Sequence, residues 1–248
     1  MCRMSTTPNE PFSIMSKIPL QLRLWWNDLG KEGHDEIKKY LKGLTSLLDI
    51  RPRGDIIRAL VPHWDPAHNV FRFSDFELTP TLEEIAGYIG SAETPLRHKY
   101  LIAPRAVAIH RFLDSLKIVR TIHNPDLAKG FCSMSFIYQR YGHIGGFDKP
   151  ENQLCSKSNR QKWEEHRRIA FMITFLGLLV FPRKDGNIDI KIAGVVSTLL
   201  TQRDSTLAPM IVSDMFRALT SCKAGESFFE GCNLLLQMWM TEHLCHRA

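Results

Sequence analysis

Cysteine and histidine come closest together near the end of this sequence, where His243, Cys245 and His246 are candidate metal ligands. On a helix, His243 and His246 would share a face because they are three residues apart. Zinc sites need four ligands at set spacings, generally supplied by two pairs, and no second pair accompanies this one. A polar helix end, where histidine complements the negative end of the helix dipole, explains the same residues. We therefore expect no metal site.

Nucleophilic catalysis would require a thiol or hydroxyl beside a base. Cys132 and Cys155 have His123 and His143 nearby in sequence, but a catalytic pair is defined by spatial geometry that spacing does not give. The sequence contains no G-x-S-x-G nucleophile elbow. Its six cysteines include no C-x-x-C pair, which is typical of reduced thiols in an intracellular protein. We expect buried thiols and surface imidazoles, and no catalytic residue.

A glycine-rich stretch, GHIGGF over residues 142–147, is the one candidate for a phosphate-binding loop. It lacks the preceding strand and the following G-K-S/T that build a phosphate cradle. The acidic pairs Glu83–Glu84 and Glu164–Glu165 are explained by charge complementation at helix starts, without glycosidase chemistry. The sequence therefore predicts no cofactor.

Basic residues are the strongest indication of a charged partner. The net charge is +6 and the pI is about 9.0, which permits a nucleic-acid or acidic-protein partner without requiring one. The candidate nucleic-acid contacts surround Trp163 and are Arg160, Lys162, Arg167 and Arg168. The alternative is a solvated helix face, in which Glu164 pairs with Arg167 or Arg168 at helical spacing.

Helical periodicity dominates the elements that would position these residues. Apolar residues at helical spacing predict helices over about 127–141, 159–181, 194–202, 209–222 and 228–246. The regular alternation of strand and helix that marks a doubly wound sheet is missing. The longest apolar run, Ile169 to Phe181, is shorter than the roughly 20 residues of a membrane span. We predict a mainly α, single helical domain with one or two small β-hairpins and no membrane partner.

The clearest strand pattern lies between Val70 and Leu78. Alternating aromatic and polar residues predict a small hairpin around Ser74–Asp75. In that register Phe71 faces Leu78 on one side of the hairpin, and Arg72 pairs with Glu77 on the other.

Proline guides two further predictions. Thr79 is expected to cap a helix that has Pro80 at its first position, where a missing N–H is tolerated. Residues 1–18 are polar, contain Pro8 and Pro11 and show no period, so we expect a flexible N-terminal tail. The helical domain would then occupy residues 19–248.

Three blocks of the sequence together resemble one family, the aminotransferase-like plant mobile domain. The first is LVPHWDPAHNVFRFSDFELTPTLEEIAGYIG, residues 60–90. The second is RRIAFMITFLGLLVFPRKDGNIDIKI, residues 167–192, and the third is FRALTSCKAGESFFEGCNLLLQMWMTEHL, residues 216–244. Each is similar to a family block, and the three occur in the family's order and spacing. The chain departs from the pattern at Thr241, where relatives commonly have a second tryptophan, and it stops soon after the third block, as a C-terminally truncated or transposon-derived copy would.

The resemblance implies a mainly helical interaction module encoded by plant transposable elements or by host genes derived from them. Host members act in the nucleus, in transposon silencing, gene-expression control and genome or meristem maintenance, with protein phosphatase-like partners. It gives no catalytic residues to transfer, and the sequence lacks the Schiff-base lysine context and phosphate cup of a pyridoxal-phosphate enzyme. We therefore expect a non-enzymatic nuclear protein without a cofactor. The alternatives are a nucleic-acid-binding accessory protein of a mobile element and, for location, the cytoplasm.

Overall fold

The computed structural model describes residues 12–90, 99–118, 125–148, 160–202 and 204–245. Helix dominates these residues, and the strands form only small sheets of two or three strands. The buried apolar side chains form one continuous core. The predicted fold class, a mainly α single domain with small hairpins, is confirmed.

The N-terminal region forms two consecutive helices and a 3₁₀ segment. Helix α1 (Leu20–Asp28) is followed by α2 (Gly30–Leu41) and by the 3₁₀ segment Lys42–Asp49. Gly30 adopts a positive φ of 64°, which turns the chain sharply between the two helices. Buried positions continue at helical spacing from α2 into the 3₁₀ segment, and this face joins the core.

The described part of the predicted tail packs against the core. Phe12, Ile14 and Ile18 are buried. Ser13 pairs with the chain around Phe228, through hydrogen bonds of 2.9 Å to Ser227 O and from the Phe229 N–H. Phe12 and Ile14 alternate with a polar residue, and such a period of two escapes a search for helical spacing. The prediction is therefore wrong for residues 12–18, whereas residues 1–11 lie outside the described part.

The predicted hairpin is confirmed and belongs to a three-stranded antiparallel sheet. After helix α3 (Gly54–Leu60) and the 3₁₀ turn Val61–His63, the strands are β1 (Trp64–Asp65), β2 (Val70–Arg72) and β3 (Glu77–Leu78). Phe71 faces Leu78, and the Arg72 Nε donates to Glu77 Oε1 at 2.8 Å. The segment Trp64–Asp65 adds the third strand, in which Trp64 lies opposite Phe71.

The next helix begins two residues later than predicted. Helix α4 (Leu82–Tyr88) is capped by Thr81, whose hydroxyl accepts from the Glu84 N–H while the Glu84 carboxylate accepts from the Thr81 N–H. This capping box satisfies two N–H groups at the helix start. Thr79 instead donates its hydroxyl to Asn69 O at 2.7 Å. Gly90, which follows the end of this helix, has a positive φ of 69°.

The middle of the chain is more broken than its sequence pattern indicates. It contains β4 (Tyr100–Leu101), α5 (Ile109–Ser115), α6 (Pro125–Ala128), β5 (Phe131–Cys132), α7 (Met134–Tyr141) and the 3₁₀ segment Ile144–Asp148. We predicted one helix over about 127–141. Gly130, with a φ of 85°, ends the first part, and Ser133 caps α7 by accepting from the Phe136 N–H.

The C-terminal part of the chain, from residue 160 onward, contains four α-helices in its described residues. They are α8 (Arg160–Phe175), which continues as a π-helical turn (Leu176–Val180), α9 (Lys191–Thr201), α10 (Ala208–Lys223) and α11 (Asn233–Cys245). Strand β6 (Ile188–Asp189) pairs antiparallel with β5, and β7 (Ser205–Thr206) pairs parallel with β4. Helix α8 is central because α1, α2, α7 and α9 all pack on it. None of the helices in the described ranges is long and apolar enough to cross a membrane.

Candidate functional site

The first and third resemblance blocks meet where α4 packs on α11. Glu84, in the first turn of α4, is the centre of this junction. Its Oε2 accepts from the Trp239 indole Nε1 at 3.0 Å and from the Thr81 backbone N–H at 2.9 Å, while its Oε1 lies 2.9 Å from His243 Nε2. The Glu84 carboxylate therefore both caps the start of α4 and contacts two side chains of α11. We name the contact region of Glu84, Tyr88, Trp239, Glu242 and His243 the α4–α11 junction.

The electrostatics of Glu84 follow from these bonds. Burial of the carboxyl group opposes ionisation, but the hydrogen bonds from Thr81 and Trp239 and the proximity of His243 stabilise the carboxylate and leave the pKa of Glu84 below its ordinary value. Glu84 is therefore ionised at neutral pH, as its role as acceptor requires.

His243 contacts an acceptor with each ring nitrogen. Its Nδ1 lies 2.8 Å from the backbone oxygen of Trp239, and its Nε2 lies 2.9 Å from Glu84 Oε1. A carbonyl and a carboxylate oxygen can only accept, so both bonds form together only when both ring nitrogens carry a proton. His243 was a candidate metal ligand, and the structure instead uses it to join helices. Within the described ranges no group of three His, Cys, Asp or Glu side chains could hold a metal ion, and His246 lies outside those ranges.

An open cleft of about 400 Å³ borders the junction. Tyr88 and Glu242 line it, and the Tyr88 hydroxyl donates to the Glu242 carboxylate. Burial and the adjacent Glu242 raise the pKa of Tyr88 above its ordinary value, so the phenol remains a proton donor across the physiological range. The cleft thus presents acidic and aromatic groups that are already bonded to one another.

The four predicted nucleic-acid contacts do not form one surface. Arg167 is 1% exposed. Its guanidinium donates to Asp28 Oδ2 at 2.5 Å and to the backbone oxygen of Tyr141 at 2.9 Å, and it lies over the Trp163 ring. Prediction of Arg167 as a phosphate contact is wrong, because its donors are used inside the protein.

The other three basic side chains differ in their exposure. Arg160 and Lys162 are exposed at the start of α8, and Arg168 is half-buried. The expected pair of Glu164 with Arg167 is present at 3.6 Å, and it is weaker than the Asp28 contact. Sequence spacing could place the four basic residues on one helix, but it could not show that α1 covers Arg167.

The described thiols are poorly suited to nucleophilic chemistry. Cys132, Cys222 and Cys232 are buried and free. Burial raises the pKa of each thiol to about 12. A thiol attacks as its thiolate, which is scarce near neutral pH under these conditions. Of the other members of the candidate cysteine–histidine sets, His143 is exposed, whereas Cys155 and His123 lie outside the described residues.

The fold and the junction define a single-domain, mainly helical protein in which charged side chains of distant blocks join the helices. The chain belongs to the family described as a domain of unknown function (DUF7745), whose model matches residues 22–248. No curated protein and no solved structure matches the chain. The family description gives no function, so the resemblance to the plant mobile domain stays a prediction.

Proposed function

We propose that this chain is a non-enzymatic protein-interaction module of the plant mobile domain kind. It acts in the nucleus, in transposon silencing, gene-expression control or genome and meristem maintenance. Its partners are proteins, including phosphatase-like nuclear proteins. The proposal comes from the resemblance of the three sequence blocks, which occur in the family's order.

The observation that carries the proposal is the α4–α11 junction. Two blocks that are far apart in sequence contact each other through Glu84, Trp239 and His243. The aromatic residues of these blocks also pack together, since the ring centroid of Phe71 lies 5.0 Å from that of Trp64 and 6.0 Å from that of Trp239. Residues that carry the resemblance thus serve to build one scaffold. Such a scaffold leaves other surface residues available to contact a partner, as an interaction module requires.

The experiment is a pull-down from plant nuclear extract with the full chain as bait, at about 150 mM salt. The expected result is a reproducible set of nuclear proteins that a matched unrelated bait does not recover. Fluorescent tagging of the same chain in plant cells should place it in the nucleus. Recovery of no specific protein, or a chain confined to the cytoplasm, contradicts the proposal.

A second candidate is nucleic-acid binding, as an accessory protein of a mobile element. The net charge of +6 and the exposed Arg160 and Lys162 favour it. Salt titration of binding to duplex DNA and single-stranded RNA tests it, because each phosphate contact makes the affinity fall with salt. Absence of binding at roughly 50 mM salt rejects this candidate.

A further inference from the structure

Two adjoining depressions form one groove along α2, bordered by α8 and α9. Their volumes are about 290 and 370 Å³, and they share Glu36 and Tyr40. Helices that meet side by side leave such elongated concavities, which accommodate a further helix or peptide. We name this feature the α2 groove.

Apolar side chains form part of the floor of the α2 groove. Ile169 and Leu200 are only half-buried, while Met172 and Leu199, which also line the groove, are 2% and 5% exposed. Burying the remaining apolar surface under a partner would be favourable, because apolar area removed from water stabilises a complex.

The rim of the groove is more cationic than anionic. Lys39, Lys42 and Arg168 line it, against the carboxylates of Glu36 and Glu165. Glu36 is already paired with Lys39, and that bond keeps the pKa of Glu36 below its ordinary value, so both charges persist at neutral pH.

Lys42 supplies the excess charge. Over the ranges that the structure describes, its ammonium takes part in no ion pair. Such a charge attracts a carboxylate of a partner.

We propose that the α2 groove binds a short, acidic, amphipathic segment of a partner protein. Apolar side chains of that segment cover Ile169 and Leu200, and its carboxylates face Lys42 and Arg168. The inference rests on the proposed interaction function and names its surface and the chemistry of its partner. A nucleic acid fits less well, because bases stack on aromatic rings and Tyr40 is the one aromatic side chain among the described residues that line the groove.

Selection from a phage-displayed library of random peptides about 16 residues long, or roughly four helical turns, tests the proposal with the full chain as target. The enriched peptides should be acidic, with apolar residues at helical spacing. Their affinity, measured by fluorescence polarisation, should fall at least about tenfold in Lys42→Glu and should rise in Glu165→Lys. Lys31→Glu, an exposed change elsewhere on α2, is the matched control and should leave the affinity unchanged.

Circular dichroism of each variant shows whether it is folded, and the opposite signs expected for Lys42 and Glu165 cannot both arise from unfolding. Enrichment of basic peptides, or of peptides insensitive to both groove variants, overturns the groove proposal and leaves the interaction function standing. Absence of enrichment also overturns the groove proposal, whereas the nuclear pull-down decides the interaction function separately. Binding of duplex DNA that Lys42→Glu abolishes would assign the groove to nucleic acid instead.

Discussion

The carboxylate of Glu84 accepts a hydrogen bond of 3.0 Å from the indole Nε1 of Trp239, across a separation of 155 residues. This bond connects the T-P-T-L-E-E segment of the first block to the L-L-Q-M-W segment of the third. The same carboxylate completes the capping box of α4 and pairs with His243. A single side chain therefore determines both where α4 begins and how it docks on α11.

Replacing Glu84 should lower the free energy of unfolding far more than replacing the adjacent Glu83. Glu84→Gln keeps the size of the side chain but loses the charge that supports several hydrogen bonds at once. Hydrogen bonds to charged groups are worth more than neutral ones, so the free energy of unfolding should fall by about 2 kcal/mol. Glu83→Gln, at the exposed adjacent position, should change it by less than about 0.5 kcal/mol. Urea titration followed by circular dichroism measures both, and equal effects would refute the role of Glu84.

The contribution of Glu84 should depend on pH with a defined sign. Its folded pKa lies below its unfolded value of 4.5, so the unfolded chain binds the proton more readily. The stabilisation by Glu84 is fully present above pH 4.5 and is lost as the pH falls through the lower folded pKa. The difference in unfolding free energy between wild type and Glu84→Gln should therefore shrink as the pH falls below 4.5, since groups that do not contact residue 84 contribute equally to both proteins. A difference that is constant or grows with acidity would contradict this prediction.

Arg167 should be a structural residue with a large effect on stability. Arg167→Met preserves much of the volume but leaves Asp28 and the Tyr141 carbonyl without their buried donor. Removal of one partner of a buried ion pair costs about 3–5 kcal/mol, and the partial exposure of Asp28 favours the lower end of that range. Thermal and urea unfolding should show this loss, whereas Lys162→Met on the exposed face should show almost none. If Arg167→Met retained full stability, the buried ion pair would not hold α1 to α8.

Two glycines should respond to alanine in opposite directions. At Gly43 an added Cβ would lie 2.4 Å from the backbone oxygen of Tyr88, in the place where the Gly43 N–H donates to Ile89 O. Because backbone atoms cannot easily move aside, Gly43→Ala should cost about 1–3 kcal/mol. At Gly87, within α4, a Cβ would meet no atom within 4 Å, so Gly87→Ala should stabilise by about 0.5–1 kcal/mol. Calorimetric melting of the two variants checks both signs. Stabilisation by Gly43→Ala would contradict the close approach at Gly43, and destabilisation by Gly87→Ala would contradict the open space at Gly87.

The sequence predicted best where the structure depends on neighbours in the chain. The hairpin register, with Arg72 opposite Glu77, follows from local alternation and was confirmed. A local signal was nevertheless misinterpreted at the start of α4. We predicted Thr79 as the helix cap because Pro80 follows it, although Thr81 and Glu84 form the T-x-x-E signature of a capping box. That signature was present in the sequence and could have identified the cap.

The sequence could not predict contacts between distant segments. Phe12 and Ile14 are buried because Ser13 pairs with residues more than two hundred positions later, and no local pattern reveals that partner. The sequence pattern indicated that Arg167 is a surface cation, because it does not show that α1 places Asp28 beside it. The α4–α11 junction was missed for the same reason, since Glu84 alone indicated only complementation of a helix dipole.

The central claim is that this chain works by binding proteins. The most direct measurement compares what the immobilised full chain retains from plant nuclear extract before and after complete nuclease digestion, at about 150 mM salt. The account predicts that the same specific proteins remain bound after digestion, and that each rebinds as a purified protein. Loss of every specific protein on digestion would contradict it and would show that the chain contacts nucleic acid instead.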